Sequence, residues 1–194
     1  MLRAILLLLT MTIVLAATPV VRAKEFFPDK ARALIVISQN QQRILIYEGD
    51  TLVRSLAIST GWPGKRETAT PAWSGTIGDY WGTFTSFGTT QDDGYWLFTD
   101  YLPDGRWNGD ILIHGAPYRL GAAGAKVYDI DGIGVAPVSH GCIRLLPEDM
   151  AWFRSWDPQG VGVEVRPLSD PALALPKLVL GALLLAPGWV SVSR

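Results

Sequence analysis

The sequence predicts a mainly β domain with one or two short helices. The globular part opens with three β-branched runs joined by two short polar turns, the pattern of an antiparallel meander. Its middle alternates aromatic with small residues, as strands lying over an aromatic core do. Twenty glycines, 13 prolines and eight tryptophans in 194 residues describe a loop-rich chain rather than a helical bundle.

The first strand is expected at Ala33–Ser38 and the second at Arg43–Glu48, with Gln39–Gln42 between them as a turn. Gly49-Asp50 turns the chain into a third strand over Thr51–Ser59. A loop follows through Gly61-Trp62-Pro63-Gly64, and Thr70-Pro71 sits in a second irregular stretch. Tyr80, Trp81, Phe84 and Phe87 mark the aromatic alternation between Thr76 and Phe87. Gln91-Asp92-Asp93-Gly94 carries an Asp-Gly turn signature, and a strand is expected at Tyr95–Thr99. Asp104-Gly105 and Asn108-Gly109 mark turns before a short strand over Asp110–His114. The glycine- and alanine-rich stretch Pro117–Val138 reads as an excursion at the rim of the site, with a short strand at Lys126–Ile130. Pro147 in a first turn, followed by Glu148 and Asp149, marks a helix that covers the domain with Met150, Trp152 and Phe153. A closing strand is expected at Gly160–Val165.

The termini differ from this body. Residues 1–23 have the form of a signal peptide: Arg3, an apolar run from Ala4 to Ala17, and Val21-Arg22-Ala23 as a cleavage site. The alternative is an uncleaved anchor, since the apolar stretch to Val21 approaches the ~18-residue minimum for a span. Both readings put the working domain outside the cytoplasm, in the periplasm or cell envelope. Residues 24–32 form a linker, 33–168 the domain, and 169–194 a tail whose apolar Leu178–Ala186 falls short of the about 20 residues a span needs. That tail is expected to dock on the domain; an interfacial membrane contact is the other reading. Formal net charge is −1 with no basic stripe, so no nucleic-acid partner is expected, and the sequence assigns no oligomeric state.

Chemistry concentrates in Ser139-His140-Gly141-Cys142-Ile143-Arg144. Cys142 is the only cysteine, and the two histidines are His140 and His114, the latter ending an apolar run beside Gly115. A lone cysteine in an exported protein has no partner for an internal disulfide, and its His and Gly neighbours favour a reactive thiol over an apolar filler. Thiolate chemistry needs a base to take the proton and backbone amides to hold an oxyanion. A zinc site of two His and one Cys is the alternative, weakened by the adjoining glycine turn and the lack of a fourth ligand nearby. A purely structural role for each histidine is the third reading.

The box, with an upstream strand ending in His114-Gly115, resembles the L,D-transpeptidase catalytic domain (the YkuD-like family). Ser59-Thr60-Gly61 and Thr70-Pro71 resemble further parts of that family, and the likeness covers about Ala33 to Pro167. The resemblance implies a β-sandwich-like domain that acts on peptidoglycan stem peptides without cofactor or metal. It implies Cys142 as nucleophile, expelling a terminal D-alanine and holding the stem as a thioester, which an amine then resolves. By the same likeness His114 is the proton donor and acceptor, oriented by the backbone carbonyl of Gly115. His140 and Gly141 belong to the oxyanion-hole turn, while Ser139 and Arg144 bind substrate, Arg144 through a carboxylate. The product is then a 3→3 crosslink or a protein attached to the wall. Rival outcomes are hydrolysis of the thioester, as an L,D-carboxypeptidase or endopeptidase, and a non-catalytic wall-binding module. The 24 residues between His114 and Ser139 exceed the family's usual spacing, and the excess is expected within Gly121–Gly134.

Overall fold

The computed structural model describes residues 25–169. The expected export segment at 1–23 and the apolar stretch at 178–186 lie outside the described residues. Eleven strands and one α-helix form the domain: β1 (Ala33–Ser38), β2 (Arg43–Glu48), β3 (Thr51–Ser59), β4 (Trp73–Thr76), β5 (Tyr80–Ser86), β6 (Thr89–Tyr101), β7 (Trp107–Gly115), β8 (Tyr118–Leu120), β9 (Lys126–Tyr128), β10 (Ile143–Leu145), α1 (Pro147–Trp156) and β11 (Gly162–Arg166).

The meander β1–β2–β3 is antiparallel throughout. β1 reads as an unbroken apolar run because it is central, paired with β2 on one side and parallel with β11 on the other, and Ile35, Val36 and Ile37 are all buried. β2 instead alternates, burying Ile44 and Ile46. The strand order is β4-β11-β1-β2-β3-β10-β7-β6-β8-β9, with β5 added on β6, so one hydrogen-bonded path runs through the whole domain. The path folds over on itself. Ile35, Ile46, Ile58 and Val163 from one half pack in a single core with Tyr95, Leu97, Ile113 and Ile143 from the other, which gives the predicted sandwich-like architecture. Helix α1 adds Met150, Trp152, Phe153 and Trp156 to that core, with Pro147 in its first turn as the sequence predicts. Full burial of a side chain such as Phe153 stabilises the domain by about 2–3 kcal/mol.

Three expectations need correction. Asp92-Asp93-Gly94 does not reverse the chain; it lies inside the long strand β6. Between the pairs Gly82↔Gly94 and Phe84↔Gln91 the register shifts, and Asp93 has φ +58°, so the Asp-Gly signature marks a β-bulge. The reversal occurs at Phe87-Gly88, whose φ values of +49° and +70° are those of a type I′ turn built on an aromatic residue. Second, Asn108-Gly109 makes no turn but lies inside β7, where the register shifts between Asp100↔Gly109 and Tyr101↔Trp107 as a second bulge. Third, Pro117–Val138 contains a complete hairpin, β8–β9, with the expected strand ending at Tyr128. It docks on β6 through Thr90↔Tyr118, and Lys126 forms an ion pair with Asp92. The rest of the excursion is held against β3, with Gly134 N–H donating to the Ile58 carbonyl (2.7 Å) and Ser59 Oγ donating to that of Ala136 (2.8 Å).

Candidate active site

The site sits where the two halves of the sheet meet. Strand β10 runs antiparallel to β3 and parallel to β7, with Arg144 directly opposite His114 and Ile143 opposite Ile113. Side chains alternate along a strand, so Ile113 and Ile143 enter the core while His114 and Arg144 share the other face. Cys142 precedes β10 by one residue and falls on the same side as Arg144. Cys142, His114, His140, Ser139 and Arg144 all line one cavity of about 550 Å³.

His114 is buried, and its Nδ1 lies 2.7 Å from the carbonyl oxygen of Gly115. A carbonyl only accepts, so Nδ1 carries the proton and Nε2 keeps the lone pair. The edge of the ring meets Phe84, with centroids 5.4 Å apart at 84°. Burial pushes the imidazole down to about 4; the Gly115 carbonyl opposes this and the Arg144 charge adds to it. Burial raises the Cys142 thiol, against smaller lowering influences from the Leu112 backbone and Arg144. Its Sγ is 3.6 Å from the Asp110 carbonyl. Thiol and imidazole therefore face the cavity as a neutral pair, and among the described residues no hydrogen bond joins Sγ directly to His114.

The turn before β10 is held from three sides. Ser139 Oγ accepts from Gly141 N–H (3.1 Å) and donates to the Cys142 carbonyl (2.5 Å). Thr70 Oγ1 donates to the Gly141 carbonyl and accepts from Gly61 N–H, both at 2.7 Å. Ser139 N–H donates to the Thr60 carbonyl, and the Ser139 carbonyl accepts from Trp62, each at 3.0 Å. Glycine is required at two points. Gly141 has φ +117°, and a Cβ on Gly61 would stand 2.1 Å from the Thr68 carbonyl and 2.8 Å from the Gly141 Cα. Gly141 N–H is committed to Ser139, whereas the His140 and Cys142 amides of the turn make no hydrogen bond among the described residues.

That clamp gives Ser139 a structural role that stability measures directly. Ser139→Ala leaves a buried N–H and a carbonyl without their partner, at a cost of about 2 kcal/mol. Calorimetry should show Tm falling by about 4–8 °C; an unchanged Tm would mean the turn holds without the hydroxyl.

His140 is exposed, stacked on Phe87 at 4.5 Å and 21°, so the tip of the β5–β6 hairpin caps one side of the cavity. Arg144 is mostly buried. Its nearest anion is Asp129 from the excursion, 3.8 Å from Nη1, and its Nε is buried with no protein partner. Gln91 Oε1 is likewise buried and unpartnered, on another wall of the cavity. Sequence reasoning missed Phe84, Gln91 and Asp129 as site residues, and only resemblance pointed to Thr70. Each reaches the site through pairings remote in sequence and carries no local signal.

The sequence profile of the L,D-transpeptidase catalytic domain (YkuD) matches residues 32–165. L,D-transpeptidase 1 of Mycobacterium tuberculosis (strain ATCC 25618 / H37Rv) is 34% identical over 75 residues, covering 39% of this chain and 26% of that protein. Among solved structures, an L,D-transpeptidase from Mycobacterium smegmatis superposes with a TM-score of 0.53 at 20% identity, over 70% of this chain and 59% of that one. The L,D-transpeptidase LdtMt1 in complex with imipenem gives a TM-score of 0.50 at 20% identity, with the same coverage of 70% and 59%. The chain thus spans about a quarter of that curated relative and under two thirds of these solved chains, and the structural likeness is one of fold. The profile runs from β1 into β11, through the meander, the strand that ends in His114 and the turn that carries Cys142. Since it takes in nearly the whole described domain, the chain belongs to the YkuD family of L,D-transpeptidase catalytic domains.

Proposed function

We propose that the domain is a cysteine-dependent peptidoglycan L,D-transpeptidase, acylated by a tetrapeptide stem with loss of D-alanine. The observation that carries this reading is the pair that shares one cavity: the Cys142 thiol and an imidazole whose Nδ1 is tied to the Gly115 carbonyl. In the first half-reaction His114 Nε2 takes the Cys142 proton as sulfur attacks the carbonyl carbon of the third stem residue. The C–S bond forms, and the Cys142 N–H donates to the oxyanion. As the tetrahedral intermediate collapses, the imidazolium returns its proton to the leaving D-alanine nitrogen and the C–N bond breaks. The stem is then a thioester on Cys142. In the second half-reaction His114 takes a proton from an acceptor amine as its nitrogen attacks the thioester. Collapse forms the new amide, releases the sulfur, and the proton passes back to Cys142. The result is a 3→3 crosslink or a protein attached to the wall.

Every step is a proton transfer or acyl transfer, so no cofactor or metal enters it. Arg144, cationic and mostly buried, is placed to bind a stem carboxylate in place of Asp129. His140 and Gly141 support the oxyanion turn through their backbone, and Ser139 braces it. Substrate of this kind lies outside the cytoplasmic membrane, in keeping with the signal-like residues 1–23.

Incubation of the full chain with purified disaccharide-tetrapeptide, followed by mass spectrometry, tests the reading. Transfer is expected as a dimer minus one alanine. Disaccharide-tripeptide alone would replace the transferase by a hydrolase using the same thioester. Recovery of unaltered substrate, with the chain bound to the wall, would leave a non-catalytic module.

A further inference from the structure

We propose that Gln91 is a substrate-binding residue whose side-chain carbonyl accepts a hydrogen bond from an N–H of the peptide that Arg144 holds. The inference deepens the stem-peptide reading above and rests on it.

Among the described residues only three buried side-chain polar atoms lack a protein partner, and two of them, Gln91 Oε1 and Arg144 Nε, belong to residues lining the cavity of Cys142. A buried acceptor left unpaired costs about 1–3 kcal/mol, so such an atom calls for a ligand or water. Gln91 is 4% exposed. Its amide orientation is fixed by a relay: Nε2 donates to Thr89 Oγ1 (2.8 Å), and Thr89 Oγ1 donates to the Ser86 carbonyl (3.0 Å). Flipping the amide would turn its oxygen toward the Ser86 carbonyl, two acceptors facing each other. Oε1 is therefore an acceptor held in place.

The face it lies on follows from register. Gln91 stands opposite Phe84 in the β5–β6 pair, and opposed residues of antiparallel strands share a face. Phe84 touches the His114 ring, so Gln91 lies on the face that carries the reacting groups. The cavity thus offers an unsatisfied donor on a cation, Arg144, and an unsatisfied acceptor on a neutral amide, Gln91. A peptide supplies both complements: a carboxylate for the one and an N–H for the other. That N–H is either a backbone amide or the side-chain ammonium of a diamino acid.

Binding of the disaccharide-tetrapeptide to the full chain, in a Cys142→Ala background that prevents turnover, is measured calorimetrically. Gln91→Met keeps length and flexibility but removes the acceptor, and should weaken binding about tenfold. Gln91→Glu, measured at a pH low enough for its carboxyl to be protonated and so still donate toward Thr89, keeps the acceptor and should stay within about threefold of the parent. In chains retaining Cys142, iodoacetamide should alkylate the Gln91→Met thiol at the parent rate. Equal losses in Met and Glu variants with slowed alkylation would reduce Gln91 to a brace of the hairpin through Thr89. Parental binding by Gln91→Met would mean water alone satisfies Oε1. Failure of the parent itself to bind the stem overturns the stem-peptide reading and this inference with it. A stem whose third residue lacks its side-chain amine separates the two donors: the effect of Gln91→Met vanishes if the donor is the ammonium and persists if it is a backbone amide.

Discussion

Cys142→Ala should silence acyl transfer by about four to six orders of magnitude, the loss expected when the nucleophile of a covalent mechanism is removed. The parent, mixed with tetrapeptide stem, should show a covalent adduct on Cys142 equal to the stem minus alanine; the variant should show none. The sequence holds no second cysteine to inherit the role, and the Ser139 hydroxyl in the same turn is spent on the Gly141 and Cys142 backbone. Cys142→Ser should be nearly as inactive, since an alcohol surrenders its proton to a weakly basic imidazole far less readily than a thiol does. Stability should hardly move, as the polar contacts of the thiol are weak ones to the Leu112 backbone and, at 3.6 Å, to the Asp110 carbonyl. A Cys142→Ala protein that retained even a hundredth of parental turnover would remove the thioester from the mechanism.

Much of the fold was legible because it is written locally. The β1–β3 meander, β7 and α1 each carry their own periodicity, and their turns or first turn use the residue types the geometry demands. The Ser-His-Gly-Cys box is likewise a local device: φ +117° at Gly141 requires a glycine, and Ser139 braces the same turn. What was not legible is what pairing brings together. The Asp-Gly signature at Asp93-Gly94 serves equally for a bulge and a hairpin turn, and only the register of β5 on β6 decides for the bulge. Arg144 meets His114 because β10 inserts between β3 and β7, a placement no window of sequence contains. Thr70 reaches the site across the 71 residues that separate it from Gly141, Gln91 through the β5–β6 pair, and Asp129 from the segment after β9. The resemblance to a known family points to a candidate nucleophile but not to the residues peculiar to this cavity.

The pH dependence of the domain should follow His114 in both stability and rate. Its folded pKa is depressed to about 4 because burial penalises the imidazolium, whereas an unfolded histidine titrates near 6.5. Between those values the unfolded chain binds a proton that the folded one does not, so stability rises with pH across the window and falls as pH drops through it. Fully developed, the loss amounts to about 3 kcal/mol, present by about pH 4 and absent above about pH 7. Urea unfolding of the parent and of His114→Gln at these two pH values isolates the contribution, because other acids titrate alike in both. The variant should lose most of the slope; equal slopes would mean the ring is not held neutral by burial. The same depression sets the rate profile. A base that stays unprotonated down to about pH 4 moves the acidic fall in acylation rate well below the usual histidine range, while the raised thiol keeps the resting pair neutral. His114→Gln should lower the acylation rate by about a thousandfold and abolish that limb, since the proton then has no acceptor of suitable basicity. If the limb instead fell near pH 6.5, the imidazole would titrate as an ordinary histidine, and burial would not be what keeps the base of Cys142 unprotonated.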